Sequence, residues 1–463
     1  MAPCDRGSVV IRVVTAQSPA SAPVARKLGR VFRSRTIPRL AGAALAAGLP
    51  LLSGCAAPPP EPLPSPAARP EPTPPLHPAI HLADVTARDW QPADLATAMA
   101  LLDDREPWED HGRPLTLARH PAEKHLAGKV VVLDPGHGGK ADVAGYKRGP
   151  TGVREAEMNL RVAKLLRRLL EDAGATVLLT REGETSAAAD DRLPDTHARR
   201  AAIANEAQRP DGGVGADLFL SLHHNAAGSP EANYPSVWFH GEVDWSEPSL
   251  DAALAIGERL GAELRCSQVG KTGILMSDQQ MYRKGFAVLR HARVPAVLLE
   301  SSFFTDPAEE QRLRDAVYNL REAYAVYLGL VEYFQGGRPT QTTPELARDV
   351  DALVITTTLD DGLPAWWGSD RQRILSSTIA VYVDGKRVPA EYDPATKRLT
   401  ARVEVSADGS VAMLRVHHAN LYKHHNWPQR YRVSVGADGE MAATPWHNRH
   451  AGEVSPAAAS TDR

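Results

Sequence analysis

The sequence predicts an α/β unit, with a mainly parallel or mixed sheet flanked by helices, followed by a C-terminal all-β sandwich of the immunoglobulin-like kind. Three observations predict it. Short, predominantly apolar runs at Val130–Leu133, Leu218–Leu222 and Ala296–Leu299 each break into polar residues, as strands buried on both faces of a parallel sheet do. Amphipathic stretches of helical length alternate with those runs, the pattern of helices covering a sheet. From about Leu346 the pattern changes to short alternating segments separated by Asp-Gly pairs, which read as antiparallel strands joined by tight turns.

The 130–133 run ends in Asp134-Pro135-Gly136-His137-Gly138-Gly139. This glycine-rich turn displays one histidine beyond a strand's carboxyl end, where such sheets carry ligand sites. A helix is predicted from Gly152-Val153-Arg154-Glu155 to about Asp172, with Gly174 as its stop. The run Leu218–Leu222 ends in His223, His224 and Asn225, and Ala296–Leu299 ends in Glu300. Asp306 caps a final helix with Pro307 first and Glu309 three after the cap. That helix is predicted to end near Phe334, and Gly336-Gly337 closes the unit. Farther on, Ile379–Val383, Leu399–Val405 and Val411–Val416 read as strands, with turns at Asp384-Gly385 and Asp408-Gly409. The α/β unit is placed at 129–337 and the β-sandwich at 346–450. A partly helical segment, 79–128, precedes them, with Trp90 and Trp108 as packing anchors.

If the three apolar runs are strands of one sheet, His137, His223 and Glu300 meet at one edge. Glu155, at its helix start, faces the same edge. Two neutral imidazoles and one carboxylate are the three protein ligands that a catalytic zinc uses when its fourth position is open. Glu300 is then an uncoordinated carboxylate at a dry strand end, which raises its pKa. It can take a proton from attacking water and deliver it to a departing amine. Amide hydrolysis fits those parts.

These residues resemble the zinc-dependent N-acetylmuramoyl-L-alanine amidases, which cut the peptide stem from the peptidoglycan glycan. The resemblance spans Lys129 to Phe334 in six ordered blocks: the Asp-Pro-Gly-His-Gly-Gly turn, Arg154-Glu155, Leu179-Thr180-Arg181, Arg200–Asn205, Asp217–Asn225, and Val288-Leu289-Arg290 with Pro295–Glu300. It implies a phosphorylase/hydrolase-like fold, Zn2+ as cofactor, His137, Glu155 and His223 as its ligands, and Glu300 as the catalytic glutamate. The expected reaction is hydrolysis of the bond between N-acetylmuramic acid and L-alanine in cell-wall remodelling or cell separation. A catalytically inactive wall-binding regulator and a zinc peptidase acting on the stem are the alternatives. Two departures stand out. His224 follows His223 where the family usually has a small residue; strand alternation sends the two rings to opposite faces, so His223 is taken as the ligand and His224 as the fallback. Ser301-Ser302-Phe303-Phe304 follows Glu300 where the family commonly has Thr-Gly. The stretch Ala226 to Leu250 is too short, and too rich in aromatics and prolines, for the helical plug that some members carry.

Other motifs carry less. The glycines from 136 to 139 with Lys140 do not make a phosphate loop, because Asp134 and Ala141 stand where that motif needs glycine and Ser or Thr. His417, His418, His424 and His425 look like a metal cluster, but they occupy a different part of the chain and lack partnering carboxylates, and read as a solvated strand and loop. Glu157 reads as a first-turn charge on the outer helix face. Arg200 reads as ordering its helix, and Trp366, Trp367 and Trp427 as core aromatics.

The leader places the protein. A basic region with Arg26, Lys27, Arg30, Arg33, Arg35 and Arg39 precedes an apolar run from Leu40 to Leu52 that is too short to span a membrane. Leu52-Ser53-Gly54-Cys55 resembles the lipobox of bacterial lipoproteins, which implies a signal peptide over 1–54 and lipidation at Cys55. Several acyl chains at one residue would hold the protein on the membrane, on the periplasmic face, with Ala56 leaning toward the outer membrane. A proline-rich tether from Pro58 to Pro78 extends at about 3.1 Å per residue, a reach on the order of 60 Å toward the cell wall. The 463 residues carry three cysteines and a net charge of −3. Neither a disulfide framework nor nucleic-acid binding is expected, and Cys266 reads as a lone buried thiol. Peptidoglycan and the membrane are the expected partners, an activator protein is left open, and the tail after 450 is expected to be disordered.

Overall fold

The computed structural model describes residues 117–138, 147–183, 196–241, 243–268, 274–349, 352–364, 373–404, 411–436 and 439–446. The leader with Cys55, the tether, Trp90, Trp108, Trp366-Trp367, Asp408-Gly409 and the tail lie outside them. Among the described residues, no helix is long and apolar enough to cross a membrane.

A six-stranded sheet organises the first half. Its strands are β1 (Val130–Pro135), β2 (Thr176–Leu179), β3 (Leu218–Asn225), β4 (Ser236–Phe239), β5 (Leu275–Ser277) and β6 (Ala296–Phe303), in the order β2-β1-β3-β6-β4-β5. All neighbours are parallel except β4 and β6, which are antiparallel. The sheet is thus mixed, with a parallel centre.

The period of two along each central strand sorts its side chains onto two cores. Val131, Leu133, Leu218, Leu220, Leu222, Val297 and Leu299 enter one core. Val130, Val132, Phe219, Ala296 and Leu298 enter the other. The first is covered by α1 (Glu155–Asp172), α3 (Val243–Leu264) and α6 (Ala316–Gln335), and the second by α2 (Thr196–Glu206) and α4 (Ala287–His291). In α1, Val162, Leu165, Leu166, Leu169 and Leu170 form the buried stripe. Burying each such side chain contributes roughly 1.5–3 kcal/mol. The helix stops where Gly174 takes φ +87°. There Ala175 N–H donates to the Leu170 carbonyl and Gly174 N–H to that of Glu171, both at 3.0 Å, a pairing that needs a left-handed residue.

The final helix differs from its sequence reading. Asp306 caps α5 (Pro307–Arg314), accepting from the N–H groups of Ala308 and Glu309, but the chain becomes extended at Asp315 before α6 begins. Asn319 explains the break. Its side-chain amide donates to the Leu313 carbonyl, which the turn end would otherwise leave unpaired, and its oxygen accepts from Arg161 Nη1 at 2.7 Å.

The C-terminal part is all-β. One sheet has the order β11-β10-β14-β15-β16: Lys386–Val388, Ala380–Val383, Met413–His417, Arg430–Val435 and Met441–Pro445. The other has β12 (Ala390–Asp393), β13 (Arg398–Glu404) and β9 (Ala352–Asp360), with β7 (Thr340–Gln341) and β8 (Glu345–Asp349) both pairing with β9. Every pairing is antiparallel, and residues of both sheets share one core. Asp384 and Gly385 both take positive φ, as a tight hairpin turn requires. Trp427 is buried.

The solvated reading of the four histidines is overturned. His418 is fully buried with Nε2 3.0 Å from the Asp360 carbonyl, and burial pushes its pKa down to about 4. His424 Nδ1 meets the Gly337 carbonyl at 2.8 Å. His417 and His425 reach carboxylates on α3, Glu247 and Asp251. The partners missing from the local sequence are supplied by another element.

At the other end of the sheet, Asp134 ties four elements together. Its carboxylate accepts from Thr180 Oγ1 (2.6 Å), Ser221 Oγ (2.7 Å) and Arg200 Nη1 (2.6 Å). Burial alone would raise its pKa, but the guanidinium and the two hydroxyls outweigh it and hold the group near 2, against an ordinary 3.8. That depression is worth roughly 2 kcal/mol of folding free energy. Because the folded-state value is the lower one, the stabilisation is present above about pH 4 and is lost as pH falls toward 2. Urea denaturation of the wild type and Asp134→Asn from about pH 2.5 to 6 should therefore show a stability gap that is constant at the upper end and narrows below pH 4. A gap independent of pH would contradict this account.

Candidate active site

The even positions of β1 and β6 and the odd positions of β3 point to one face, so Asp134, Ser221, His223 and Glu300 emerge together at the carboxyl ends of the strands. His223 and Glu300 are register partners on adjacent parallel strands. Leaving β1, the chain makes a turn in which His137 adopts φ +60°, a left-handed conformation costly for a residue with a Cβ. Two buried arginines hold that turn. Arg181 donates from Nε to the Pro135 carbonyl (2.8 Å) and from Nη2 to that of Gly136 (3.0 Å), while Arg200 Nη2 donates to the His137 carbonyl (2.7 Å). Arg200 therefore orders the histidine turn as well as its own helix.

Glu155 comes from the other core's side, at the first position of α1. The loop before it is fixed by Glu310, whose carboxylate accepts from the N–H groups of Thr151 and Val153 at 2.8–3.0 Å. Glu155 Oε1 lies 3.0 Å from His137 Nε2 and 3.0 Å from His223 Nδ1, and the rings stand edge to face with centroids 4.8 Å apart. Glu155 Oε2 is buried without a hydrogen bond, with Lys147 Nζ 3.8 Å away. One donor atom from each of the three residues lies within 4.8 Å of the others. Ligands of a tetrahedral ion at 2.0–2.1 Å sit roughly 3.3 Å apart, so this set can hold a metal ion with small adjustments.

The neighbouring groups titrate in opposite directions. Burial would raise the Glu155 pKa, but the imidazoles of His137 and His223 bring it well below the usual carboxylate range. Glu300 goes well above that range, pushed by burial and then by the Glu155 charge, against a smaller opposing pull from Lys147. His223 is lowered by burial, which favours the neutral ring that a metal ligand must be. Glu300 Oε2 is buried without a hydrogen bond. It lines a cavity of about 510 Å3 with His137, His223, Lys147, Tyr282, Phe286 and Arg290 among its walls.

His224 points the other way. Its ring is buried between Asn159 Oδ1 (2.9 Å) and Glu322 Oε2 (3.1 Å), and despite burial the Glu322 carboxylate raises its pKa. Asn159 in turn donates to the Gly136 carbonyl (3.3 Å), linking His224 to the histidine turn from behind. Glu157 is half-buried, 3.8 Å from Arg154 and 3.9 Å from Arg161. Cys266 is buried, and burial pushes its thiol pKa well up. Segment 226–250 holds a loop, β4 and the start of α3. Sequence reading missed Lys147, Tyr282, the support of the turn by Asp134 and Arg181, and the role of Asn159. The one signal for the supports was charged residues bordering apolar strands, which nothing local distinguishes from surface charge.

A family model described as N-acetylmuramoyl-L-alanine amidase matches residues 131–332. The chain is 30% identical over 217 residues to a probable cell wall amidase LytH of Staphylococcus saprophyticus, an alignment covering 47% of this chain and 62% of that protein. It is 31% identical over 220 residues to the probable cell wall amidase LytH of Staphylococcus aureus, covering 47% and 63%. The chain thus spans about three fifths of the length of these curated relatives. Among solved structures, the N-acetylmuramoyl-L-alanine amidase AmiC2 of Nostoc punctiforme aligns at 25% identity with a TM-score of 0.36, covering 45% of this chain and 98% of that one. The residues of the strand-end cluster, His137, Glu155, His223 and Glu300, all lie within the 131–332 segment that is similar to the N-acetylmuramoyl-L-alanine amidase family.

Proposed function

We propose that the protein hydrolyses the amide bond between N-acetylmuramic acid and L-alanine in peptidoglycan, with zinc held by His137, Glu155 and His223. The observation that carries the reading is geometric: donor atoms of His137, Glu155 and His223 lie within 4.8 Å of one another, and Glu300, the register partner of His223 on the adjacent strand, lines the same cavity. Three ligands beside an uncoordinated carboxyl separate metal binding from acid/base work. A zinc ion in the His137–Glu155–His223 cradle supplies Lewis-acid activation of water and of the scissile carbonyl.

The chain's own residues do the rest. Arg181, Arg200 and Asn159 hold the carbonyls of Pro135, Gly136 and His137, so the His137 ring stays aimed at Glu155. Glu300, whose Oε2 has no hydrogen bond, would in its carboxylate form accept the proton of the attacking water and pass it to the L-alanine nitrogen as that amine departs. Tyr282 and Phe286 provide an aromatic wall for substrate at the cavity. The leader motif ending at Cys55 supports attachment of the protein to the cell envelope as a lipoprotein, and the proline-rich tether supports reach from the membrane to the wall.

Incubating the soluble part with murein should release free stem peptides that begin with an L-alanine amine, identified by mass, and chelator should abolish the release. Stems cut internally would refute the assigned bond. Glu300→Gln should keep its metal while turnover falls by roughly 10²–10⁴-fold; unchanged turnover would remove Glu300 from the chemistry. Gly136→Ala tests the cradle itself. A Cβ there would lie 2.1 Å from Cε1 of His223, so the ring must move, and both metal content and activity should drop together. Full metal occupancy in that variant would show that the ring's position does not matter.

A further inference from the structure

A second constellation of the same donor types lies away from the strand-end cavity, where the β part meets α3. Donor atoms of Glu247, His417 and His425 lie within 4.8 Å of one another. Three observations indicate which nitrogen of each ring is left with a lone pair. His417 Nδ1 is 2.7 Å from the Thr378 carbonyl. A carbonyl only accepts, so Nδ1 carries a proton, and in the neutral ring Nε2 is a bare lone pair. That Nε2 is buried without a hydrogen bond, although Glu247 Oε2 is only 3.3 Å away. His425 Nδ1 faces both Asp251 oxygens, at 2.9 and 3.1 Å, and so also donates, leaving its Nε2 as the available lone pair.

An imidazole whose other nitrogen donates to a carbonyl or a carboxylate is the arrangement that orients histidine toward a metal ion. Both rings have it. The carboxylate is oriented too: Gln429 Nε2 (2.6 Å) and Arg415 Nη2 (3.2 Å) donate to Glu247 Oε2, as ligating carboxylates are held by further hydrogen bonds. These named bonds fall on one oxygen, and a carboxylate can bind a cation through either.

We propose that Glu247, His417 and His425 form a second divalent-metal site, of the zinc type, that clamps the C-terminal β part to α3. Its ligands come from both parts of the chain, β14 and the following loop on one side and α3 on the other. The ion therefore bridges them, and two neutral imidazoles with one carboxylate match zinc better than the oxygen-loving calcium or magnesium. The site stands independently of the amidase reading.

The test counts metal in the full chain after loading with zinc and removal of excess. The wild type should hold two zinc per chain, His137→Ala one, and His417→Ala/His425→Ala one. The last variant should keep its murein activity. Cobalt(II) titration of the His137→Ala protein isolates the second site and should show one tetrahedral visible-absorption spectrum, absent when Glu247→Gln is added. This readout does not depend on the His417→Ala/His425→Ala variant folding. No cobalt bound by the His137→Ala protein, or equal zinc in the wild type and the His417→Ala/His425→Ala variant, would overturn the proposal. The cluster would then be a protein-only contact between His417 and Glu247.

Discussion

The architecture of the site depends on one buried carboxylate. Glu155 Oε1 meets His137 Nε2 and His223 Nδ1 and also accepts, at 3.3 Å, from the backbone N–H of His224. An ionised carboxylate this deeply buried is expensive unless it is surrounded by donors or a cation. Two separate stretches of chain, at His137 and at His223–His224, supply such groups to Oε1, while Oε2 has no hydrogen bond. Burial, and after it this same negative charge, raise the pKa of Glu300. One desolvated anion thus sets the character of the two imidazoles and of the neighbouring acid.

Holding that geometry falls to residues that line the cavity only in part. Arg181 and Arg200 bind the carbonyls of a turn whose histidine has a left-handed backbone, and Asp134 anchors Arg200. Such a turn is stable only when its surroundings over-determine it. Two guanidiniums, the Asn159 amide and the hydroxyls of Thr180 and Ser221 do so. Gly136 completes the arrangement, because the His223 ring occupies the space that any side chain there would need. The strain is local and its supports are distant in sequence.

The β part meets the α/β unit through polar contacts with defined directions. Asn420 Nδ2 donates to the carbonyls of Gly336 and Asp361, His424 Nδ1 meets the Gly337 carbonyl, and His425 binds Asp251. Gly337 sits at φ +65° against the Gly362 carbonyl, where a Cβ would collide. Polar junctions of this kind fix orientation more than they contribute stability. The histidines at this junction reach their acidic partners only because α3 passes beneath the loop that carries them.

What the sequence determined by itself was the set of buried strands, the helix with its glycine stop, and the residues that leave the strand ends. Apolar periodicity and turn chemistry are local properties, so Val130–Leu133, Gly174 and Asp384-Gly385 could be read directly. Strand alternation likewise separates His223 from His224 with no structure in hand. Only the tertiary structure decided that β4 runs antiparallel to β6, that the final helix breaks at Asp315, and that Arg181, Arg200 and Asn159 converge on the histidine turn. It also decided that Glu247 and Asp251 meet the C-terminal histidines. Each of these rests on a hydrogen bond or ion pair between residues scores of positions apart or on a single carbonyl needing a partner, and a linear pattern carries no record of which distant donor will reach it.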